Sequence, residues 1–225
     1  MLARGLAANG VSSLRFHYAG TGNSSGESSD ITIDTLVDDT MHAVNWLAAR
    51  HASDVLCVIG VRFGGTVATL VAEKHPLVTL LALHTPILSG DGYWNSLLKS
   101  RQVMEVARGG KPKSKTQLIE ELTTQGHIEI LADLWSEEFV RGLRGIDLAQ
   151  RVPAPISSVM LATVASDKRA KSEVARLAEK YRDTEFNTVL WVDTESEFCW
   201  TPRHDASLPL PYLQQTLAWL GGQPT

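Results

Sequence analysis

The sequence predicts an α/β protein, a mostly parallel sheet flanked by helices and interrupted by a helical insertion. Three observations carry that expectation. Short runs rich in Val, Leu and Ile, such as residues 54–59, 78–83 and 187–193, alternate with longer segments whose apolar residues recur at spacings of three and four. That alternation implies a parallel sheet covered on both faces. Between residues 89 and 150 the rhythm stops and three helical patterns replace it.

Taken in order, Leu2, Leu6 and Ala7 fit a short helix that Asn9-Gly10 would terminate. VSSLRFHY, residues 11–18, reads as a strand, followed by the glycine- and serine-rich loop AGTGNSSGESSD. Ile33, Leu36, Val37, Met41, Val44 and Leu47 mark one face of a helix over residues 32–50. A strand over 54–59, a helix over 66–74 closed by His75-Pro76, and a strand over 78–83 come next. The insertion reads as helices over 93–106, 115–124 and 128–143, with no strand. The earlier pattern then resumes: strand 157–163, helix 171–181, strand 187–193, and a last helix over 210–220 before Gly221-Gly222. Residues 1–225 suit one domain, carrying its insertion at 89–150, and a chain of this size buries a core without staples.

Composition narrows the partners. Apolar residues make up 44% and charged residues 20%, the balance of an ordinary globular protein. A net charge of −4 gives no reason to expect nucleic acid or an anionic membrane. The one basic cluster, RGGKPKSK at residues 108–115, reads as a solvated mobile loop in preference to a phosphate or polymer contact. Cys57 and Cys199 are too few for a disulfide framework and read as free thiols in a reducing compartment. The longest apolar run, residues 78–88, holds a His and a Pro and is too short to span a bilayer. With no apolar stretch near Met1 to act as a signal peptide, the expected location is cytoplasmic. No His, Cys, Asp or Glu cluster has metal-ligand spacing, and no phosphate-loop motif occurs, so neither metal nor cofactor is expected.

The stretch GVRFGG, residues 60–65, sits between a strand and a helix. That is the setting in which hydrolases place G-x-S-x-G, where a strained turn lifts a nucleophilic serine to the top of the sheet. Here the central residue is Arg62. A guanidinium has no deprotonated form near neutral pH and is not a nucleophile, so serine chemistry at this position is excluded. In open parallel sheets the functional site lies beyond the carboxyl ends of the strands. The loops after Tyr18, at 60–65, after Leu83, after Thr163 and after Asp193 all qualify, and the insertion leaves the sheet at the same end, placed to roof that site.

These segments together resemble the α/β-hydrolase fold over the whole chain. FHYAGTGNSSGE, residues 16–27, resembles the segment after the family's fourth strand, GVRFGG the nucleophile elbow, and 89–150 the cap. Within the superfamily the chain is most similar to exosortase A system-associated hydrolases, themselves similar to serine aminopeptidases. The supporting stretches are GVRFGG, HTPILSGDGYWNSLLKSR and the Phe198…Trp200…Pro209 tail. The resemblance implies two departures, Arg62 at the elbow and about three strands absent from the start. One of those strands normally lies in mid-sheet beside residues 54–59 and brings an oxyanion-hole N–H. An upstream start, direct pairing of strands not usually adjacent, or a partner chain at the open edge, giving a homodimer, would each answer the second departure.

The family's chain order of nucleophile, acid and His maps onto Arg62, Asp167 and His204. Asp167 reads either as an acid or as a carboxylate near a helix N-cap; His204 either as the catalytic His or as a solvated loop residue. Ser24, with Ser25 beside it, lies in the rim loop, and Cys199 is near His204 but flanked by Phe198 and Trp200. His84 closes a strand facing the expected site, with Arg62 and Phe63 on the elbow itself. Arg62 at a helix start suits a carboxylate or phosphate, or else it pairs internally with an acid such as Asp167. Two functions follow. One is a hydrolase of ester, amide or thioester bonds in which Asp167 and His204 activate water while Arg62 holds an anionic group or the oxyanion. The other is a non-catalytic binding or accessory protein that keeps the pocket as an anion site. Both expect a small acyl or anionic molecule as partner.

Overall fold

The structure, a computed structural model, describes residues 2–51, 55–151, 153, 156–164, 168–182, 188–194 and 210–222. It divides into two compact units. The first comprises residues up to 16, 40–87 and from 148 onward; the second comprises 17–39 and 88–147.

The first unit is built on four parallel strands in the order β1 (Leu56–Val61), β2 (Val78–His84), β5 (Ser158–Val164) and β6 (Thr188–Thr194). Strands β2 and β5 lie at its centre, and their side chains alternate between the two faces. Leu80, Ala82, Met160 and Ala162 point one way and pack with Tyr212 and Trp219 of α8 (Leu210–Gly221), together with half-buried Leu2, Cys57 and Ile59. Leu81, Leu83, Val159 and Leu161, all fully buried, point the other way. Burial on both faces explains why these strands read as continuous apolar runs: a polar residue on either face would lack water. Each buried Leu is worth about 2 kcal/mol of transfer free energy. The indole N–H of Trp219 donates to Ser158 Oγ at 3.1 Å, so this large buried ring leaves no polar atom stranded.

Helix α3 (Phe63–Lys74) packs on β1 and β2, and every residue from Gly65 to Ala72 is buried. Its small residues, Gly, Ala and Thr, let the helix approach the sheet closely. Helix α7 (Lys168–Arg182) packs on β5 and β6, and α1 (Leu2–Ala8) on α8. Both α3 and α7 start three residues earlier than their apolar periodicity suggests, because a first turn contributes little to the buried stripe. Helix α2 (Ile33–Ala48) carries the expected buried face at Leu36, Val37 and Val44.

One strand expectation fails in this region. Residues 11–18 form no strand. Among the described residues β1 pairs only with β2 and nothing lies in ladder register with 11–18, so this segment has the composition of a strand without a partner.

The second unit contains α4 (Gly90–Ala107), α5 (Lys115–Gln125), a hairpin of β3 (His127–Ile130) and β4 (Asp133–Ser136), and α6 (Glu137–Arg144). The hairpin overturns the expected helix over 128–143, of which only the second half is helical. Ile128 and Ile130 are buried while His127 and Glu129 are exposed, a period of two that β-branched residues favour. Leu131 and Ala132 make the two-residue turn at φ 57° and 67°, the conformation a tight hairpin needs. Helix ends are capped by serines: Ser114 forms a reciprocal capping box with Gln117, Ser89 accepts from Gly92 N, and Ser136 from Phe139 N. Gly90 N donates to Ile146 O, and a Cβ at Gly90 would stand 1.7 Å from Leu143 O, so only glycine lets α4 start there.

Candidate functional site

The site is assembled where β1 and β2 end. Arg62 follows β1 directly with φ 54° and ψ −122°, a backbone region that costs a non-glycine residue about 1–2 kcal/mol. Three hydrogen bonds hold it there. Arg62 N donates to His84 O at 2.9 Å, and Arg62 O accepts from Gly65 N at 2.9 Å and Ile87 N at 3.4 Å. The glycines make room for this turn. A Cβ at Gly60 would lie 2.4 Å from Gly64 O and 2.5 Å from Gly65 Cα, and one at Gly65 would press on Pro86 at 3.0 Å. Thr66 Oγ1 donates to Ile87 O at 2.7 Å, fastening the helix to the next strand's exit, while Thr69 Oγ1 donates to Gly65 O at 2.9 Å within the helix's own first turns. Strand, strained single-residue turn and helix follow in immediate succession.

Arg62 stands at the N-cap of α3, where unsatisfied backbone N–H groups and the helix dipole also favour negative charge. Its guanidinium is partly exposed and has no ion-pair partner among the described residues. Phe63 is the first residue of α3 and is half-buried.

His84, the last residue of β2, is 1% exposed. Its ring packs edge-on against Tyr212, with centroids 4.9 Å apart, and its Nδ1 lies 3.0 Å from Thr85 Oγ1. Burial, reinforced by the neighbouring Arg62 guanidinium, pushes the imidazole down to about 4, so it is neutral near neutral pH. Thr85 has φ 46°, and its N–H donates to Ala162 O at 2.7 Å, extending the ladder by one bond. Two successive strand exits therefore carry non-glycine residues in the left-handed region. Burial also pushes the Cys57 thiol up to about 12 and the Tyr212 phenol above its usual range, so neither supplies an anion here.

Of the residues expected at the site, the structure brings together Arg62, Phe63 and His84. Asp167, Cys199 and His204 lie outside the described residues. Ser24 belongs to the second unit, where its Oγ donates to His17 O at 2.8 Å within its own loop. That loop closes on itself, since a Cβ at Gly22 would fall 1.7 Å from His17 Nδ1 and Gly20 N donates to Ser25 O at 2.9 Å. Thr85 and Tyr212 were not singled out from sequence. The His-Thr-Pro run at a strand exit was the available signal for Thr85, while Tyr212 reaches His84 only through the packing of α8. Among the described residues no group of His, Cys, Asp and Glu could hold a metal ion.

The model of the hydrolase family described as serine aminopeptidase, S33, matches residues 1–129. No curated protein matches the chain. Among solved structures, the chain resembles Est1E from Butyrivibrio proteoclasticus, solved with ferulic acid, at a TM-score of 0.67 and 15% identity over 99% of this chain and 82% of that one. An esterase from Pyrococcus furiosus gives a TM-score of 0.63 at 16% identity, covering 98% of this chain and 73% of that one. The α/β hydrolase GrgF from Penicillium sp. sh18 gives 0.61 at 16% identity, covering 97% and 82%. At such identities the likeness is one of fold.

Proposed function

The chain belongs to the serine aminopeptidase, S33, family, and on that premise we propose that it uses an α/β-hydrolase site to hold an anionic acyl molecule, with Arg62 where the family's nucleophilic serine stands. The single observation that carries this reading is Arg62 itself. It occupies the strained turn between β1 and α3, at a helix N-terminus, with no carboxylate partner among the described residues and a neutral His84 beside it. A guanidinium fork there makes charge-assisted hydrogen bonds to a carboxylate or phosphate, worth about 1.5–3 kcal/mol each. Hydrolysis of esters, amides or thioesters is weak or absent, because no nucleophile stands at the elbow. The stretches GVRFGG, HTPILSGDGYWNSLLKSR and Phe198…Trp200…Pro209 support kinship with exosortase A system-associated hydrolases.

A second reading is favoured by the chain order Arg62, Asp167, His204. In it Asp167 and His204 activate water and Arg62 stabilises the oxyanion. One experiment separates the two. Hydrolysis of short- and long-chain p-nitrophenyl esters is measured for wild type, Arg62→Ser and His204→Ala, alongside octanoate binding by wild type and Arg62→Gln. The anion-holding reading expects wild-type turnover near buffer, a gain in Arg62→Ser, and a loss in octanoate affinity of roughly 10- to 100-fold in Arg62→Gln. Wild-type turnover that collapses in His204→Ala establishes the second reading instead.

A further inference from the structure

The second unit carries a surface that the elbow does not use. Helix α4 buries Trp94, Leu97 and Leu98, yet also exposes two valines near its end, Val103 at 60% and Val106 at 56%. The two stand one turn apart, on the same outward stripe as Ser96, Lys99 and Ala107, all exposed. Valine is a poor helix former, so local structure gives no reason for two of them on a wet face.

The stripe runs into a basic turn. Between residues 99 and 115 there are six basic residues and one acidic one, against a net charge of −4 for the whole chain. The turn is tethered. Gln102 Nε2 donates to Lys113 O at 2.8 Å, Lys113 N to Glu105 Oε2 at 2.8 Å, and Gly110 N to Glu105 O at 2.9 Å; Ser114 then caps α5. Glu105 is taken up by Arg101 at 2.9 Å, and Lys113 pairs with Glu121 at 2.5 Å. Lys115 Nζ donates to Asn95 Oδ1 at 2.6 Å. Lys99, Arg108 and Lys111 are exposed and have no ion-pair partner among the described residues.

We propose that this face of α4, with the turn that follows it, is a docking surface for an anionic lipid bilayer. Charge complementarity selects the headgroups, and the valines select lipid over a hydrated polyanion. Apolar side chains flanked by cations gain from the boundary between headgroups and acyl chains and gain nothing from a hydrated polyanion that carries no apolar groups. The contact lies on the membrane, since no helix among the described residues is long and apolar enough to cross one. A chain-wide negative charge hides such a surface because the basic residues are concentrated in a single segment.

Co-sedimentation of the full chain with vesicles of phosphatidylcholine, alone or mixed with phosphatidylglycerol, tests this. Binding is expected only to the anionic vesicles and is expected to fall as salt is raised. Arg108→Gln with Lys111→Gln should weaken it by roughly fivefold per cation removed. Val103→Ser with Val106→Ser should weaken it at unchanged charge. All four side chains are exposed, so matching thermal melts will show that these variants remain folded. Failure of wild type to sediment with anionic vesicles overturns the proposal. So does vesicle binding that the valine variant retains in full while both proteins bind polyglutamate equally well, which marks a polyanion contact instead.

Discussion

Two places in this molecule put pairs of non-glycine residues in the left-handed region, and they are held in different ways. At the strand exits, Arg62 and Thr85 are locked by ladder bonds to His84 and Ala162, and Gly60 and Gly65 clear the space around Arg62. At the hairpin, Leu131 and Ala132 are exposed and turn between two short strands. The first conformation is over-determined by its surroundings, while the second is a local choice made with unsuitable residues. Strain that neighbouring backbone enforces at a strand exit points to a site, whereas strain at a solvent-facing turn is a stability defect.

The sharpest break of that comparison is Gly60→Ala. Its Cβ has nowhere to go but into the backbone of Gly64 and Gly65. A loss of roughly 3 kcal/mol is expected, read from the urea midpoint at unchanged m-value.

Of similar size is the pH response of His84. Its folded-state value of about 4 lies below the ordinary 6.5, so the unfolded chain binds the proton more readily. The contribution of this residue to stability is therefore fully present above pH 6.5 and is lost as pH falls towards 4. The slope is about 1.4 kcal/mol per pH unit. Urea unfolding across that window should show the slope in wild type and a flatter profile in His84→Gln. Asp91 and Glu105, held below their ordinary values chiefly by bonds from Arg144 and from the backbone N–H of Lys113, begin to lose their contributions as pH falls below those ordinary values, 3.8 and 4.5, in both proteins.

The smallest effect sharpens the other side. Ala132→Gly relieves a left-handed alanine and should stabilise the protein by about 0.5–1 kcal/mol, seen as a higher Tm. A destabilisation there would mean that the hairpin turn, like the elbow, is held from outside.

Much of the sheet was legible in the sequence. Its strands are short, uniformly apolar and separated by amphipathic helices, and that pattern has few other solutions. The elbow was legible because Gly60, Gly64 and Gly65 bracket it. Residues 11–18 misled because strand composition is local while a ladder needs a neighbour. Residues 128–143 misled because a short apolar run fits either period until a turn is recognised, and Leu131-Ala132 carries no turn signal.

By itself the sequence determined the α/β class and the place of Arg62, whose guanidinium is not a nucleophile, between a strand and a helix. These follow from hydrophobic periodicity, glycine sterics and the chemistry of a guanidinium, all of which act over a few residues. Only the tertiary structure decided that His84 is buried against Tyr212 and Arg62, that Thr85 shares the strained exit, and that the basic turn after α4 is tethered beside exposed valines. Those facts depend on residues far apart in the chain meeting in space, and burial, the largest influence on His84, comes from the packing of whole elements.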